Sequence, residues 1–130
     1  MSDRYFTLAA ARAALPKVKQ LMQIVQASRQ EILRLRPEVW PVLRKAAMNG
    51  GSREAGELLV HFERLEKGVK GILNMGIVVK DVDEGIIDFL GKRNDREIYL
   101  CWQYGEDDIH YWHDLNAGFT GRQPIDAKIS

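Results

Sequence analysis

The richest cluster of side chains able to hold a metal ion or move a proton lies in the second half of the chain: Asp88, Glu106, Asp107, Asp108, His110 and His113. Mixed carboxylate and imidazole donors suit Zn, Mn or non-haem Fe, so a divalent ion is the cofactor these residues imply. Such an ion would acidify a bound water while a carboxylate takes the proton, which is hydrolase chemistry. Asp88 stands between Ile86, Ile87, Phe89 and Leu90, where a carboxylate needs a partner to be tolerated. If the strands carrying Asp88 and His113 pair, the two join Glu106, or a helix glutamate such as Glu66, in one site. His110 is a further candidate ligand, but successive strand residues point to opposite faces, so His110 and His113 serve one ion only if the strand ends early. The plainer account of His113 is a hydrogen-bonded structural residue at the end of an aromatic strand.

Other constellations carry less. Gly118-Phe119-Thr120-Gly121-Arg122 can form a backbone nest with a guanidinium, suited to phosphate or carboxylate. The competing account lets the glycines pack a terminal loop on the sheet while Arg122 pairs with an acidic neighbour. Tyr99, Trp102, Tyr104, Tyr111 and Trp112 crowd one hairpin, and whichever face looks outward, with Trp102 or Trp112 on it, is a platform for a flat ligand. Cys101 reads as a small buried hydrophobe with no imidazole held beside it by sequence. Asp81-Val82-Asp83-Glu84-Gly85 has its glycine one residue too early for a calcium loop and Lys92 at the twelfth position, so it reads as a solvated turn. No P-loop, dinucleotide fingerprint, nucleophile elbow, HExxH or paired CxxC occurs in the chain, which removes the enzyme classes with short signatures.

The elements that position these residues follow from periodicity. Thr7 is a plausible N-cap for a helix from Leu8, and Pro16 either kinks it or opens a new one. Val18, Leu21, Val25, Ser28, Ile32 and Leu35 form one stripe, and Pro37 ends the helix. A short helix over Glu38 to Met48 would place Pro41 in its first turn. Asn49-Gly50-Gly51-Ser52 is a loop, with Ser52 capping a helix from about Arg53 to Asn74 whose seam is Ala55, Leu58, Phe62, Leu65, Val69 and Ile72. His61 lies off this seam, and Gly76 supplies the stop. The two long helices should pack antiparallel. After Gly76 the period becomes two: strands at Ile77–Lys80 and Ile86–Leu90, a turn over Gly91–Arg96, then a hairpin of Glu97–Tyr104 with Ile109–His113 and Tyr104 opposite Ile109. That register sets Ile98, Leu100, Trp102, Tyr104, Ile109, Tyr111 and His113 toward the helices, and Glu97, Tyr99, Cys101, Gln103, His110 and Trp112 away from them. The tail from Asp114 reads as irregular.

The chain is therefore α+β: a long antiparallel helical hairpin packed on a small antiparallel sheet of about four strands. It is one domain over residues 1–130, helical over about 7–75 and strand-rich over 76–130. Residues 1–50 carry nine Lys or Arg against three Asp or Glu, whereas residues 76–130 carry six against eleven. Opposed halves favour docking within one chain or between two copies, and the formal net charge of +1 argues against nucleic acid. One cysteine permits no internal disulfide, no run is long enough for a membrane span, and no signal-peptide core forms, so the cytoplasm is the expected compartment.

Longer strings add a resemblance. Phe6-Thr7-Leu8, Ala14-Leu15-Pro16, Gly76 to Asp81, Gly85 to Phe89, Ile98 to Trp102, Gly105-Glu106, Tyr111-Trp112-His113 and Gly118 to Pro124 are similar to a bacterial family known as domain of unknown function 2203. Leu90 departs from it, since the family usually has proline there. The resemblance implies a small bacterial cytoplasmic protein of helices plus a small sheet, and no activity. The expected function is a binding or assembly module, dimeric as a homo-oligomer. The alternative is a metal-dependent, hydrolase-like enzyme.

Overall fold

The computed structural model describes residues 4–49 and 58–130. Thr7 opens α1 (Leu8–Leu35) with extended backbone and a hydroxyl that accepts from the Ala10 N–H at 3.0 Å, satisfying a donor that a helix start leaves free. The helix runs unbroken past Pro16. Arg12 and Pro16 are both exposed, so water can take the Arg12 carbonyl that the missing N–H abandons. The buried stripe is Ala11, Leu15, Val18, Met22, Val25 and Ile32, with Gln26 and Ser28 beside it. It turns with the helix's own period, so Met22 takes the deep position expected of Leu21, and Leu35 stays exposed. A 3₁₀ turn at Pro37–Val39 leads into α2 (Trp40–Asn49), with Pro41 in its first turn as expected. The loop after Asn49, its capping Ser52, and the expected helix start from Arg53 with Ala55 lie outside the described residues.

The next helix, α3 (Leu59–Asn74), buries Phe62, Leu65, Gly68, Val69 and Ile72, and Leu58 just before it is buried as well. Gly76 follows at φ +81°, a conformation that favours glycine and ends the helix. The Ser28–Arg34 end of α1 lies beside His61 and Arg64, while Lys17 and Leu21 lie beside Gly71 and Asn74. The two helices are therefore antiparallel. A Cβ on Gly68 would stand 2.7 Å from Val25 Cγ2, so the backbones meet there without intervening side chains.

Five antiparallel strands follow in sequential order: β1 (Val78–Asp81), β2 (Ile86–Arg93), β3 (Arg96–Gln103), β4 (Tyr111–Asp114) and β5 (Gln123–Pro124). β5 comes from the tail expected to be irregular, where it pairs with β4. Asn94 and Asp95 close the β2–β3 hairpin, both at positive φ (+50° and +64°), as a two-residue turn matched to strand twist requires.

The β3–β4 pairing differs from expectation by one residue. Leu100 faces Trp112 and Tyr99 faces His113. The cause is the loop, which leaves the ladder at Gln103. The Tyr104 N–H goes to the Gly85 carbonyl at 2.9 Å, the Gln103 N–H goes to the Glu106 carboxylate at 2.6 Å, and Asp108 accepts from its neighbour Ile109 N–H at 2.8 Å. A slip of one residue reverses every side chain of the following strand. Trp112 therefore joins Ile87, Phe89, Ile98, Leu100, Trp102 and Ile109 in the core shared with the helices. Tyr111 and His113 turn to the opposite face, and Tyr104 is exposed.

Polar contacts add to the apolar core that the two halves share. Asp83, in the β1–β2 turn, accepts from Arg29 Nε at 2.8 Å, Trp40 Nε1 at 2.8 Å and Arg44 Nη1 at 2.6 Å. Arg12 reaches the Ile109 carbonyl at 2.9 Å, and Lys19 donates to the Asp107 carbonyl at 2.5 Å. The opposed charges of the halves thus meet within one chain. The Phe6 N–H donates to the Leu90 carbonyl and the Leu8 N–H to the Ser130 carbonyl, tying the start and end of the described chain to the sheet.

Desolvation raises the Asp83 carboxyl, but its bonds from Arg44, Arg29 and Trp40 outweigh that and hold it below its ordinary range. Asp83→Asn is expected to lower unfolding stability by about 2 kcal/mol at neutral pH. Because the folded carboxyl is the stronger acid, this contribution is complete above about pH 4 and disappears as pH falls through the folded value. Urea unfolding of both proteins should show the gap closing in acid, and a gap that persists there would refute this role.

Candidate functional site

Counting outward from the Asn94-Asp95 turn sets Asp88 directly opposite Cys101. β4 then brings His113 alongside, opposite Tyr99, on the face turned away from the helices. Asp88, Cys101 and His113 are each exposed by 1% or less. His113 Nε2 lies 3.1 and 3.2 Å from the two Asp88 carboxylate oxygens, and the Cys101 thiol donates to the same carboxylate. One donor atom from each residue lies within 4.8 Å of the other two.

The electrostatics follow from burial. Desolvation raises the Asp88 carboxyl, and the charge and hydrogen bond of His113 only partly oppose it. The Cys101 thiol is pushed up to about 12, first by desolvation and then by the neighbouring Asp88 charge, so it is no nucleophile at neutral pH. His113 Nδ1 lies 2.8 Å from the Asp114 carbonyl, which can only accept, so Nδ1 carries the hydrogen. Nε2 meets a carboxylate, and one proton is therefore held between Nε2 and Asp88.

The side chains around the cluster come from several elements. Lys80 Nζ stands over the Tyr99 ring at 5.4 Å, and the Tyr99 ring lies 5.6 Å from that of His113. Arg122 is stacked on the Tyr111 and Phe119 rings at 4.1 and 4.5 Å, and it grips both Glu106 oxygens at 2.7 and 2.8 Å. It also reaches the Cys101 carbonyl at 3.4 Å.

The structure thus brings Asp88 and His113 together and sets their expected companions apart. Glu106 spends its carboxylate on Arg122 and the Gln103 N–H rather than on His113. His110 precedes β4, is exposed, and bonds Asp107 at 2.9 Å. Arg122 is paired with an acidic neighbour, as the simpler account had it. Trp102 and Trp112 are not an outward platform: both are buried, donating to the Glu106 and Pro124 carbonyls at 3.0 and 3.1 Å. Glu66 lies on α3 beside Lys70. Cys101 is the member that sequence reasoning missed. The signal was the Asn94-Asp95 turn, since a two-residue turn there places Cys101 against Asp88.

A second feature lies on the helical layer. Between α1 and α3 runs a groove of about 920 Å³ lined by the apolar Leu21, Ile24, Ala27 and Gly68 and by Lys17, Glu31, Arg34, His61, Arg64 and Lys67. Ile24 is exposed.

These features define an α+β protein, a helical layer on an antiparallel meander, with a carboxylate–thiol–imidazole cluster sealed beneath the far face. The chain belongs to the family described as Uncharacterized conserved protein (DUF2203), whose model matches residues 4–125. Comparison with curated proteins and with solved structures finds no match. Among the described residues, no helix is long and apolar enough to cross a membrane.

Two outcomes are expected of the cluster. In the native protein at pH 8, Cys101 should resist an aromatic disulfide reagent, and one thiol per chain should react once guanidinium unfolds it. Rapid native labelling would contradict its burial. His113→Ala leaves a buried carboxylate without its strongest partner and should cost about 3–5 kcal/mol by denaturant titration.

Proposed function

We propose that the protein is a non-enzymatic binding module whose helical groove receives an acidic, amphipathic helical segment of another protein. The observation that carries this is an apolar lining with an excess of cations, since Glu31 is paired with Arg34 and leaves Lys17, Arg64 and Lys67 in surplus. Leu21, Ile24, Ala27 and Gly68 offer apolar area to an i, i+3, i+4 stripe, while Lys17, Arg64 and Lys67 face the acidic flanks of such a segment. Gly68 lets the two helices that form the groove close to contact, because a Cβ there would stand 2.7 Å from Val25 Cγ2. Among the described residues no Phe, Tyr or Trp lines the groove, so it lacks the large stacking surface that single-stranded nucleic acid uses.

A homodimer was the partner expected from the helix stripes. Two copies meeting symmetrically at this groove would bring two net-cationic linings together, which is unfavourable, so the occupant proposed is an unlike chain. A bacterial cytoplasm suits the protein, because a chain with one cysteine makes no internal disulfide. The alternative, a hydrolase, draws on the contact between Asp88 and His113. Side chains exposed by 1% or less give a substrate no route to a metal-bound water, which favours the binding role.

Charge reversal by Arg64→Glu with Lys67→Glu alters two exposed positions and leaves the core intact. Wild-type protein should retain an acidic partner that moderate salt releases, and the double variant should not. Light scattering should read a monomer for both. Equal retention by both proteins, or a dimer that the double variant dissociates, would sink the proposal.

A further inference from the structure

We infer that Asp88, Cys101 and His113 form a closed site for a divalent ion of the zinc type, bound through a carboxylate oxygen, the Cys101 sulfur and His113 Nε2. The site shares no residue with the helical groove, and either assignment can fail without the other.

The geometry comes first. Three donor atoms from three neighbouring strands lie within 4.8 Å of one another. Around a tetrahedral zinc ion, nitrogen and oxygen donors stand about 3.3 Å apart and a sulfur slightly farther from both. His113 Nε2 already stands 3.1 and 3.2 Å from the Asp88 oxygens. The ion therefore needs an opening of a few tenths of an ångström at that edge, within the reach of side-chain torsions on a fixed sheet. Three protein donors leave the fourth position to one enclosed water.

The chemistry selects the class of ion. A thiolate beside imidazole and carboxylate is a poor site for magnesium or calcium and a good one for zinc. A divalent ion with one thiolate, one carboxylate and one neutral imidazole sums to zero charge, which a site exposed by 1% or less requires. His113 donates Nδ1–H to the Asp114 carbonyl at 2.8 Å, the orienting bond that leaves Nε2 free to ligate.

Without an ion, Asp88 has as one of its donors a thiol, which is weak, although a carboxylate can accept about four hydrogen bonds. Coordination replaces that weak bond. The Cys101 S–H bond breaks as the sulfur–metal bond forms, and the proton held between Asp88 and His113 also departs, so two protons leave to solvent for each ion bound. Donors on β2, β3 and β4 make the ion a clasp across the sheet, a structural role rather than a hydrolytic one.

The test uses the full chain, purified reduced, stripped with EDTA, and dialysed against zinc and then cobalt. One zinc per chain is expected by atomic emission, and the cobalt form should show the visible bands of a tetrahedral ion with a thiolate-to-cobalt charge-transfer band. Cys101→Ser and Asp88→Asn keep side-chain size, and circular dichroism checks that they fold. Each should weaken zinc at least about tenfold, and Cys101→Ser should abolish the charge-transfer band. Wild-type protein that retains no zinc after dialysis, or whose cobalt form lacks the thiolate band, overturns the assignment whether or not the variants fold. Undiminished zinc binding by a folded Cys101→Ser protein does the same, since it places the ion elsewhere.

Discussion

A carboxylate with no solvent exposure, held mid-strand between Ile87 and Phe89, constrains the whole second half of this protein. Burial opposes its charge, and only donors on neighbouring strands can offset that opposition. Cys101 and His113 reach it because two registers agree. The Asn94-Asp95 turn sets Cys101 across from Asp88, and the diverted β3–β4 loop turns His113 onto the same face. Either register shifted by one residue would strand Asp88 among apolar neighbours and turn its partner into the core.

The devices that set those registers are also what joins the sheet to its surroundings. Glu106 stops β3 by taking the Gln103 N–H, and the same carboxylate anchors Arg122. Arg122 lies between Tyr111 and Phe119 and holds the tail where β5 can form beside β4. On the opposite side, Phe6 packs edge-on against Phe89 with ring centroids 5.1 Å apart, and its carbonyl would lie 3.1 Å from a Cβ at Gly91. A side chain at Gly91 would press on this N-terminal segment. Asp83 repeats the principle, since one half-buried carboxylate gathers three donors from the helical half. The sheet thus keeps its reactive groups sealed within, while the helical layer exposes its groove. Binding at the groove therefore need not disturb the cluster.

Much of this was legible in the residues. The change of period at Gly76 separates helix from sheet, the alternation by three and four marks the faces of α1 and α3, and Thr7, Pro37, Pro41 and Gly76 mark where elements begin and end. Asp88 was identifiable as a carboxylate in need of a partner because its four neighbours are apolar. His113 was named as that partner on the supposition that the two strands pair; they do not, since β3 lies between them, and the two side chains meet across it on one face. Trp102 and Trp112 were misleading, since an aromatic-rich hairpin does not say which ring faces inward.

By itself the sequence determined which side chains alternate, where helices must stop, and that Asp88 needs an ionisable companion, because periodicity, proline, glycine and desolvation act locally. Only the tertiary structure decided that Cys101 is the third member, that Glu106 belongs to Arg122, and that His113 and Trp112 exchange faces. The first rests on the β2–β3 register, and the other two on where Tyr104 N–H, Gln103 N–H and Ile109 N–H find acceptors. A loop's hydrogen bonds are settled by what has already packed around it, and a one-residue difference there inverts a strand without leaving a trace in the alternation of its residues.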